Sequence, residues 1–125
     1  MKVVESEKFL RQVSELKKKY PQVEEDIDNV KDQLLMIAFK KVSELNVPIV
    51  EIDVKEVARE IWRIRVQNSD NNKGKRAGYR IFYCRSENKD DGIIFLGIYS
   101  KPDIEKDYEV IARDLLKKVV DEGRL

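Results

Sequence analysis

The sequence predicts an α+β fold, with an N-terminal helical hairpin packed on an antiparallel sheet of three to four strands. Apolar residues recur at helical spacing near both ends of the chain, whereas the middle stretch from Ile61 to Lys101 holds strand-like runs joined by polar connections. The resulting order is β-α-α-β-β-β-α. A chain of 125 residues can form this as one domain spanning residues 1–125.

A short strand and a helix are predicted at the start of the chain. Met1–Glu5 contains two adjacent valines, and Ser6 can cap a helix over residues 7–19. Apolar residues within that range have helical spacing, and three lysines in its last turn complement the helix dipole. Tyr20-Pro21 ends the helix, because the residue before proline is pushed away from the α region.

A longer second helix is predicted to begin just after Pro21, with acidic residues in its first turns. Its apolar stripe continues to Val42 and Leu45, and Asn46-Val47-Pro48 ends it. The next segment, Ile49–Glu60, contains IVEIDV, which alternates like a strand, and VKEVARE, which resembles a helical turn. We expect a short extended piece there, followed by an irregular or helical connection.

Three strands are predicted in the middle of the chain, over residues 61–68, 79–87 and 92–99, with a hairpin turn at 88–92. Side chains alternate between faces along a strand, so the apolar residues and the arginines separate onto opposite faces. The face that packs on the helices holds Trp62, Ile64, Val66, Ile81 and Tyr83. A last helix is predicted over about residues 107–122.

The composition excludes several kinds of chemistry. The chain has no histidine and one cysteine, Cys84, so histidine-based catalysis, histidine-ligated zinc and an internal disulfide are ruled out. We interpret Cys84 as a packing residue. No apolar run is long enough to cross a membrane, and the N-terminus turns acidic at Glu5 before a signal sequence could form. A cytoplasmic protein without a membrane partner is therefore expected.

Basic residues are concentrated in the predicted sheet. The net charge is only +1, but residues 61–101 contain nine basic and four acidic side chains. The face opposite the helices would carry arginines, and the loop before the second of these strands would add more cations. The set comprises Arg63, Arg65, Arg80 and Lys101, with Lys73, Lys75 and Arg76 from the loop. Local positive charge of this kind attracts anionic ligands.

The order of these segments resembles the RelE/ParE superfamily of toxins, and most closely its HigB-like branch. The similar segments are FxxxxxxLKKKYPxxxxD at 9–26, IWRIRV at 61–66, KGKRAGYRIFY at 73–83 and IYSK at 98–101. The resemblance covers Val3 to about Leu116. It implies a concave sheet, an mRNA-cleaving activity that is often ribosome-dependent, and a cognate antitoxin, plausibly of the helix-turn-helix type, that masks it. Where the family often has Ser-Gly-Gly-Tyr-Arg, this chain has RAGYR at 76–80, which is more basic and less flexible.

Cleavage of RNA without histidine has to use lysine, arginine or tyrosine. A lysine can accept the 2′-OH proton only if its pKa is lowered from about 10.4, which neighbouring cations favour. Arginine binds phosphate in a bidentate manner and stabilises the charge of the transition state. This chemistry needs neither a metal nor a cofactor. The predicted catalytic residues are Arg80, Lys75, Lys73, Tyr99 and Lys101, and the predicted RNA contacts are Arg63, Arg65, Arg76 and Tyr108.

Each of these residues also has an ordinary structural interpretation. The loop at 68–78 can be a solvated hairpin, the arginines of the first strand can form surface salt bridges, and the tyrosines can be packing residues. Two other functions stay open as well: a ParE-like toxin that inhibits a topoisomerase without cutting RNA, and an inactive binding module on the same fold. The proposed site requires Arg80 to lie on the face opposite Ile64.

Overall fold

Three helices and five strands follow one another in a computed structural model, which describes residues 2–54, 56–71, 74, 77–86, 92–101, 104 and 107–123, and only the backbone of Val57. In chain order they are β1 (Val3–Glu5), α1 (Glu7–Lys19), α2 (Val23–Ile37), β2 (Asn46–Val54), β3 (Val57–Val66), β4 (Tyr79–Arg85), β5 (Ile93–Ser100) and α3 (Tyr108–Asp121). None of the helices in these ranges is long and apolar enough to span a bilayer.

The strands form one sheet in the order β1-β5-β4-β3-β2. All neighbouring strands are antiparallel except β1 and β5, which pair in parallel. The α+β class is confirmed, and so are the first and last helices. Ser6 caps α1 as predicted, because its hydroxyl oxygen accepts a hydrogen bond from the Phe9 amide at 3.1 Å. The sheet has five strands instead of the three to four that the sequence predicts.

The additional strand comes from the segment before Ile61, where the prediction of a helical or irregular connection is wrong. β2 and β3 form an antiparallel hairpin, with Glu56 at a positive φ of 67° beside the turn. Pairing with β3 overrides the helix-like spacing of VKEVARE, because the hairpin buries Ile52 and Ile61 on the same side of the sheet. Pro48 is tolerated since β2 is an edge strand and its register shifts just after this residue.

The second helix ends eight residues earlier than its apolar stripe suggests. α2 stops at Ile37, and Phe39 takes a positive φ of 61°. The reversal is held by Asn46, whose Nδ2 donates to the carbonyl oxygens of Ile37 and Lys40, both at 2.9 Å. Phe39 then packs beside the rings on β3 and β4, so its burial replaces a continued helix. The apolar residues after Phe39 belong to the connection that leads into β2.

Two apolar cores lie on opposite faces of the sheet. The first, beneath α1 and α2, is built by the residues that the sequence assigns to the helix-facing side, and these include Trp62, Ile64 and Ile81. The second lies beneath α3 and contains Phe82, Cys84, Leu96 and Leu115. The predicted arginines and Tyr99 do lie on this second face, but the prediction leaves out the apolar core on the same face. The apolar half of the face is covered by α3, and the arginines occupy the end of the face near the start of that helix.

Candidate functional site

Three predicted site residues form one row across the sheet. Arg65 on β3 lies directly opposite Arg80 on β4, and Arg80 lies directly opposite Tyr99 on β5. Directly opposed residues in neighbouring strands point to the same face, about 5 Å apart. Ile64 pairs with Ile81, so Arg80 lies on the face opposite Ile64, as the candidate site requires. Arg63 lies two residues before Arg65 and therefore shares its face.

These arginines are more buried than an open basic face would allow. Arg80 is 1% exposed and Arg63 is 3% exposed, while the side chain of Arg65 is 23% exposed. Arg63 and Arg80 both contact Tyr108 at the start of α3, and the charge of Arg65 acts on both of them. Lys101, just after β5, is exposed, and its amide donates to the Gly78 carbonyl at 3.0 Å. The cations thus range from fully buried to solvent-facing.

Tyr108 lies at the centre of this cluster. It is the first residue of α3, which Asp107 caps by accepting a hydrogen bond from the Glu109 amide at 2.7 Å. The Tyr108 ring packs edge-on against Phe82, with 5.6 Å between ring centres. The Arg63 Cζ lies 5.7 Å and the Lys101 Nζ 6.0 Å from the centre of the ring.

Tyr108 has the packing role that the sequence offers as one interpretation, and its predicted contact with RNA stays a prediction. Its ring fills space beneath the helix start, and its hydroxyl shares a hydrogen bond with the Arg80 side chain. A phenol among guanidinium groups can accept hydrogen bonds from them and can exchange a proton with a bound ligand. We call Arg63, Arg65, Arg80, Lys101 and Tyr108 the arginine cluster.

Among the described residues, the charges of Arg63 and Arg65 are balanced only by one exposed carboxylate within 4 Å. That carboxylate is Glu44, with N–O distances of 3.9 and 4.0 Å, and its side chain is 70% exposed. Arg63 also donates from Nη1 to the Glu44 carbonyl at 3.2 Å. The buried Nε atoms of Arg63 and Arg65 have no hydrogen-bond partner among the residues that the structure describes.

The burial of these groups has an electrostatic cost. Desolvation, followed by the neighbouring Arg65 charge, lowers the pKa of Arg63. Desolvation also lowers the pKa of Arg80, although its hydrogen bond with Tyr108 acts in the opposite direction. Arg80 also donates from Nη1 to the Tyr79 carbonyl at 3.1 Å. Charged donors that lie close together and are partly removed from water can bind an anion with several oxygens, such as a phosphodiester.

Tyr99 lies at the edge of the arginine cluster. It is half-buried, its ring packs edge-on against Phe82 with 6.0 Å between ring centres, and its side chain is hydrogen-bonded with Gln12 of α1. Burial raises the pKa of Tyr99, so its hydroxyl keeps its proton at neutral pH. A protonated phenol can stack on a base or donate a proton, so both roles that the sequence suggests for Tyr99 stay predictions.

The loop between β3 and β4 is anchored at its first residues. The Asp26 carboxylate, which is buried, accepts hydrogen bonds from the amide and the hydroxyl of Ser69, both at 3.1 Å. Asp70 accepts a hydrogen bond from the Gln22 amide at 3.0 Å, at the N-terminus of α2. Three predicted site residues of this loop lie outside the described residues: Lys73, Lys75 and Arg76.

The glycine in the segment RAGYR at 76–80 is Gly78, and the structure shows why a glycine is needed there. A Cβ at this position would clash with the carbonyl oxygen of Val66, because the ends of the loop between β3 and β4 approach each other closely there. The glycine therefore allows β4 to begin beside the end of β3. That placement sets the register in which Arg80 lies opposite Arg65.

Sequence reasoning missed Glu44 and Gln12, which contact the cluster and its edge. Glu44 lies in a segment that was predicted to be helical, so its distance from Arg63 could not be inferred. Gln12 has no sequence signal beyond its place on a helix.

Among the described residues, no group of three potential metal ligands comes together. The chain matches no protein-family model, no curated protein and no solved structure.

Proposed function

We propose that this protein is a toxin of the RelE/HigB kind, an endoribonuclease that cleaves mRNA on the ribosome in the cytoplasm. The observation that supports this most is the arginine cluster, where three guanidinium groups converge and Glu44 is the carboxylate near two of them. Arginine forks match the geometry of phosphate oxygens, so a phosphodiester fits this cluster. The resemblance of the sequence motifs then favours RNA over other phosphodiesters.

Cleavage would proceed by attack of the ribose 2′-OH on the adjacent phosphorus. The proton of the 2′-OH passes to a base, the 5′-oxygen leaves with a proton, and the products carry a 2′,3′-cyclic phosphate and a 5′-OH. Arg63 and Arg80 would stabilise the charge on the phosphate oxygens, which is usually the largest catalytic contribution. Tyr108 and Lys101 are the described groups that can exchange protons there, and Lys73 and Lys75 are the further candidates from the loop.

The test is expression of the protein alone in bacteria, followed by growth measurement and by mapping of mRNA ends. Wild-type protein is expected to stop growth and to leave mRNA with 5′-OH ends. Arg80→Lys keeps the charge but loses the bidentate fork, so cleavage by the purified variant on a translating ribosome should fall by about 10²- to 10³-fold. Arg113→Lys on the exposed side of α3 is the matched control and should retain full activity.

Two results would contradict the proposal. Unchanged growth with intact mRNA would exclude an endoribonuclease toxin. Growth arrest with intact mRNA, together with inhibition of gyrase supercoiling by the purified protein, would favour the ParE-like alternative. A melting curve for Arg80→Lys, compared with that of the wild type, separates loss of activity from loss of folding.

A cognate antitoxin is part of the same proposal. Its expected gene is a neighbouring reading frame that encodes a small helix-turn-helix protein. A helix or an extended segment of that protein would lie over the basic face or over the α1–α2 hairpin. Co-expression of this neighbour should restore growth. A neighbour that binds the toxin but leaves growth arrested would contradict the antitoxin assignment.

A further inference from the structure

A cavity of about 260 Å³ lies between α1 and the second half of β5. It exists because β1 pairs with β5 only from Ile93 to Phe95 in the part of the chain that the structure describes. Beyond Phe95 the edge of β5 faces α1, and Gln12 Oε1 accepts a hydrogen bond from the Ile98 amide at 2.9 Å. The walls are mainly apolar and include Leu16, Ile98 and the Tyr99 ring.

The rim of this cavity is basic. Lys8 and Arg11 project from α1, and neither forms an ion pair within the described ranges. The one carboxylate in the lining, Glu15, is already engaged by Lys18 at 3.1 Å. Partial burial lowers the pKa of Lys8, and the nearby charges of Lys118 and Arg11 lower it further. The cations at this rim therefore repel one another and would gain from an anion.

Tyr99 connects the cavity with the row of side chains that leads to the arginine cluster. Tyr99 lines the cavity and also ends the row that runs from Arg65 through Arg80. Two strand spacings separate β3 from β5, so this row is about 10 Å long. Tyr99 thus shares the cavity with Lys8 and Arg11 and lies opposite Arg80, while the Asp114 carboxylate is also near enough for its charge to act on Tyr99. A single nucleotide has the matching parts, a flat apolar base and an attached phosphate.

We propose that this cavity is a second nucleotide subsite, which holds the base of the nucleotide next to the one at the arginine cluster. The base would lie against Leu16, Ile98 and Tyr99, and Lys8 and Arg11 would hold its phosphate. This inference rests on the proposed function, because it takes single-stranded RNA as the ligand. The smallest ligand that fills both subsites is then a dinucleotide, not a single phosphorylated nucleoside.

The experiment compares uridine 3′-monophosphate with a 2′-O-methylated uridine trinucleotide, which cannot be cleaved by 2′-OH attack. Binding is measured by calorimetry or fluorescence over a range of salt concentrations. Wild-type protein should bind the trinucleotide about tenfold or more tightly than the mononucleotide, because a second base is stacked. In the double variant Lys8→Gln/Arg11→Gln this gain should vanish, whereas mononucleotide binding should stay within about twofold of wild type.

The control is the double variant Lys17→Gln/Lys19→Gln, which removes the same charge from the same helix. Both lysines are exposed and interact away from the cavity, Lys17 with Glu24 and Lys19 with the Tyr20 ring. The slope of log affinity against log salt for the trinucleotide should decrease by about 0.7 in Lys8→Gln/Arg11→Gln, which corresponds to one lost phosphate contact. It should remain close to the wild-type slope in the control.

The outcomes separate this inference from the proposed function. If the wild type binds the mononucleotide but gains nothing from the trinucleotide, the second subsite is wrong and the arginine cluster still stands as an anion site. Equal losses in the two double variants would also overturn the subsite, since they would show a general effect of charge. If the wild type binds neither ligand and leaves mRNA intact on the ribosome, the proposed function fails and the subsite fails with it.

Discussion

Arg63 is the residue at which binding and stability are expected to conflict most clearly. Its side chain is 4% exposed, its Nε has no hydrogen-bond partner in the described part of the chain, and Glu44 lies 3.9 Å away in solvent. A buried charge that is poorly paired costs more than an apolar side chain of similar size. The contacts of Arg63 with Tyr108 and the Glu44 carbonyl offset only part of this cost.

Replacing Arg63 with methionine should therefore stabilise the free protein. We expect Arg63→Met to raise the free energy of unfolding by about 1 kcal/mol in urea denaturation, while Arg113→Met on the exposed side of α3 changes it by less than about 0.5 kcal/mol. Added sulfate should then stabilise the wild type more than Arg63→Met, since an anion that binds only the folded state shifts the equilibrium.

Sulfate also stabilises folded proteins in general, and this effect is equal for the wild type and Arg63→Met. Comparing the stabilisation of the two proteins by sulfate therefore removes it. A loss of more than about 1 kcal/mol in Arg63→Met would instead identify the arginine as a structural group that its present partners satisfy. Equal stabilisation of the two proteins by sulfate would argue against an anion site at Arg63.

At the scale of elements, Asn46 determines where α2 ends and where β2 begins. It is fully buried, it donates to two carbonyl oxygens at the end of α2, and its Oδ1 accepts a hydrogen bond from the Tyr83 hydroxyl at 2.6 Å. One side chain thus satisfies three polar groups that belong to α2, its following turn and β4. No helix pattern in the sequence reveals such a contact.

Asn46→Ala should destabilise the protein by about 2–4 kcal/mol, because the buried Tyr83 hydroxyl loses its acceptor and the Lys40 carbonyl oxygen loses its donor, whereas the Ile37 carbonyl oxygen keeps the Lys40 amide. Urea denaturation measures this change, and Asn29→Ala on the exposed face of α2 is the matched control. In the double variant Asn46→Ala/Tyr83→Phe the loss should be smaller than the sum of the single losses, since the hydroxyl is then absent. Additive losses would show that the two side chains are not coupled.

The sequence predicts those elements whose signals are local. Ser6 and Tyr20-Pro21 bound α1 correctly, and the alternation along β3 places Arg63 and Arg65 on the correct face. The hairpin before Ile61 was missed because its stability comes from pairing and burial, which periodicity does not report. The alternation of side chains along the strands predicts that the arginines share one face. It does not predict that they are buried, because their burial depends on how α3 packs on the sheet.

At the scale of the whole molecule, the buried thiol and phenols of β4 make the free energy of unfolding change with pH in the alkaline range. Burial raises the pKa of Tyr83 from its ordinary value of 10.0 to about 12, and that of Cys84 from 9.0 to about 12. Desolvation also raises the pKa of Tyr79. The folded state therefore favours the protonated forms, and their contribution to stability is fully present below about pH 9.

The free energy of unfolding should fall as pH rises from about 9 towards 12, because the unfolded chain releases these protons first. Tyr83 alone would account for roughly 2–3 kcal/mol over that range, at 1.4 kcal/mol per pKa unit. Urea denaturation at several pH values measures the slope, and Tyr83→Phe should make it shallower although the variant starts less stable. Constant stability up to pH 11 would contradict the burial of these groups.

The parallel pairing of β1 with β5 has a consequence for the time course of folding. The Ser6 hydroxyl, which caps α1, donates to the Leu96 carbonyl 90 residues later in the chain. When α1 and α2 leave the ribosome, the strands that cover their apolar faces have not yet been synthesised. At about 5–20 residues per second, several seconds pass before β5 emerges and the sheet can close. For a protein proposed to cut mRNA during translation, this delay separates its own synthesis from its activity.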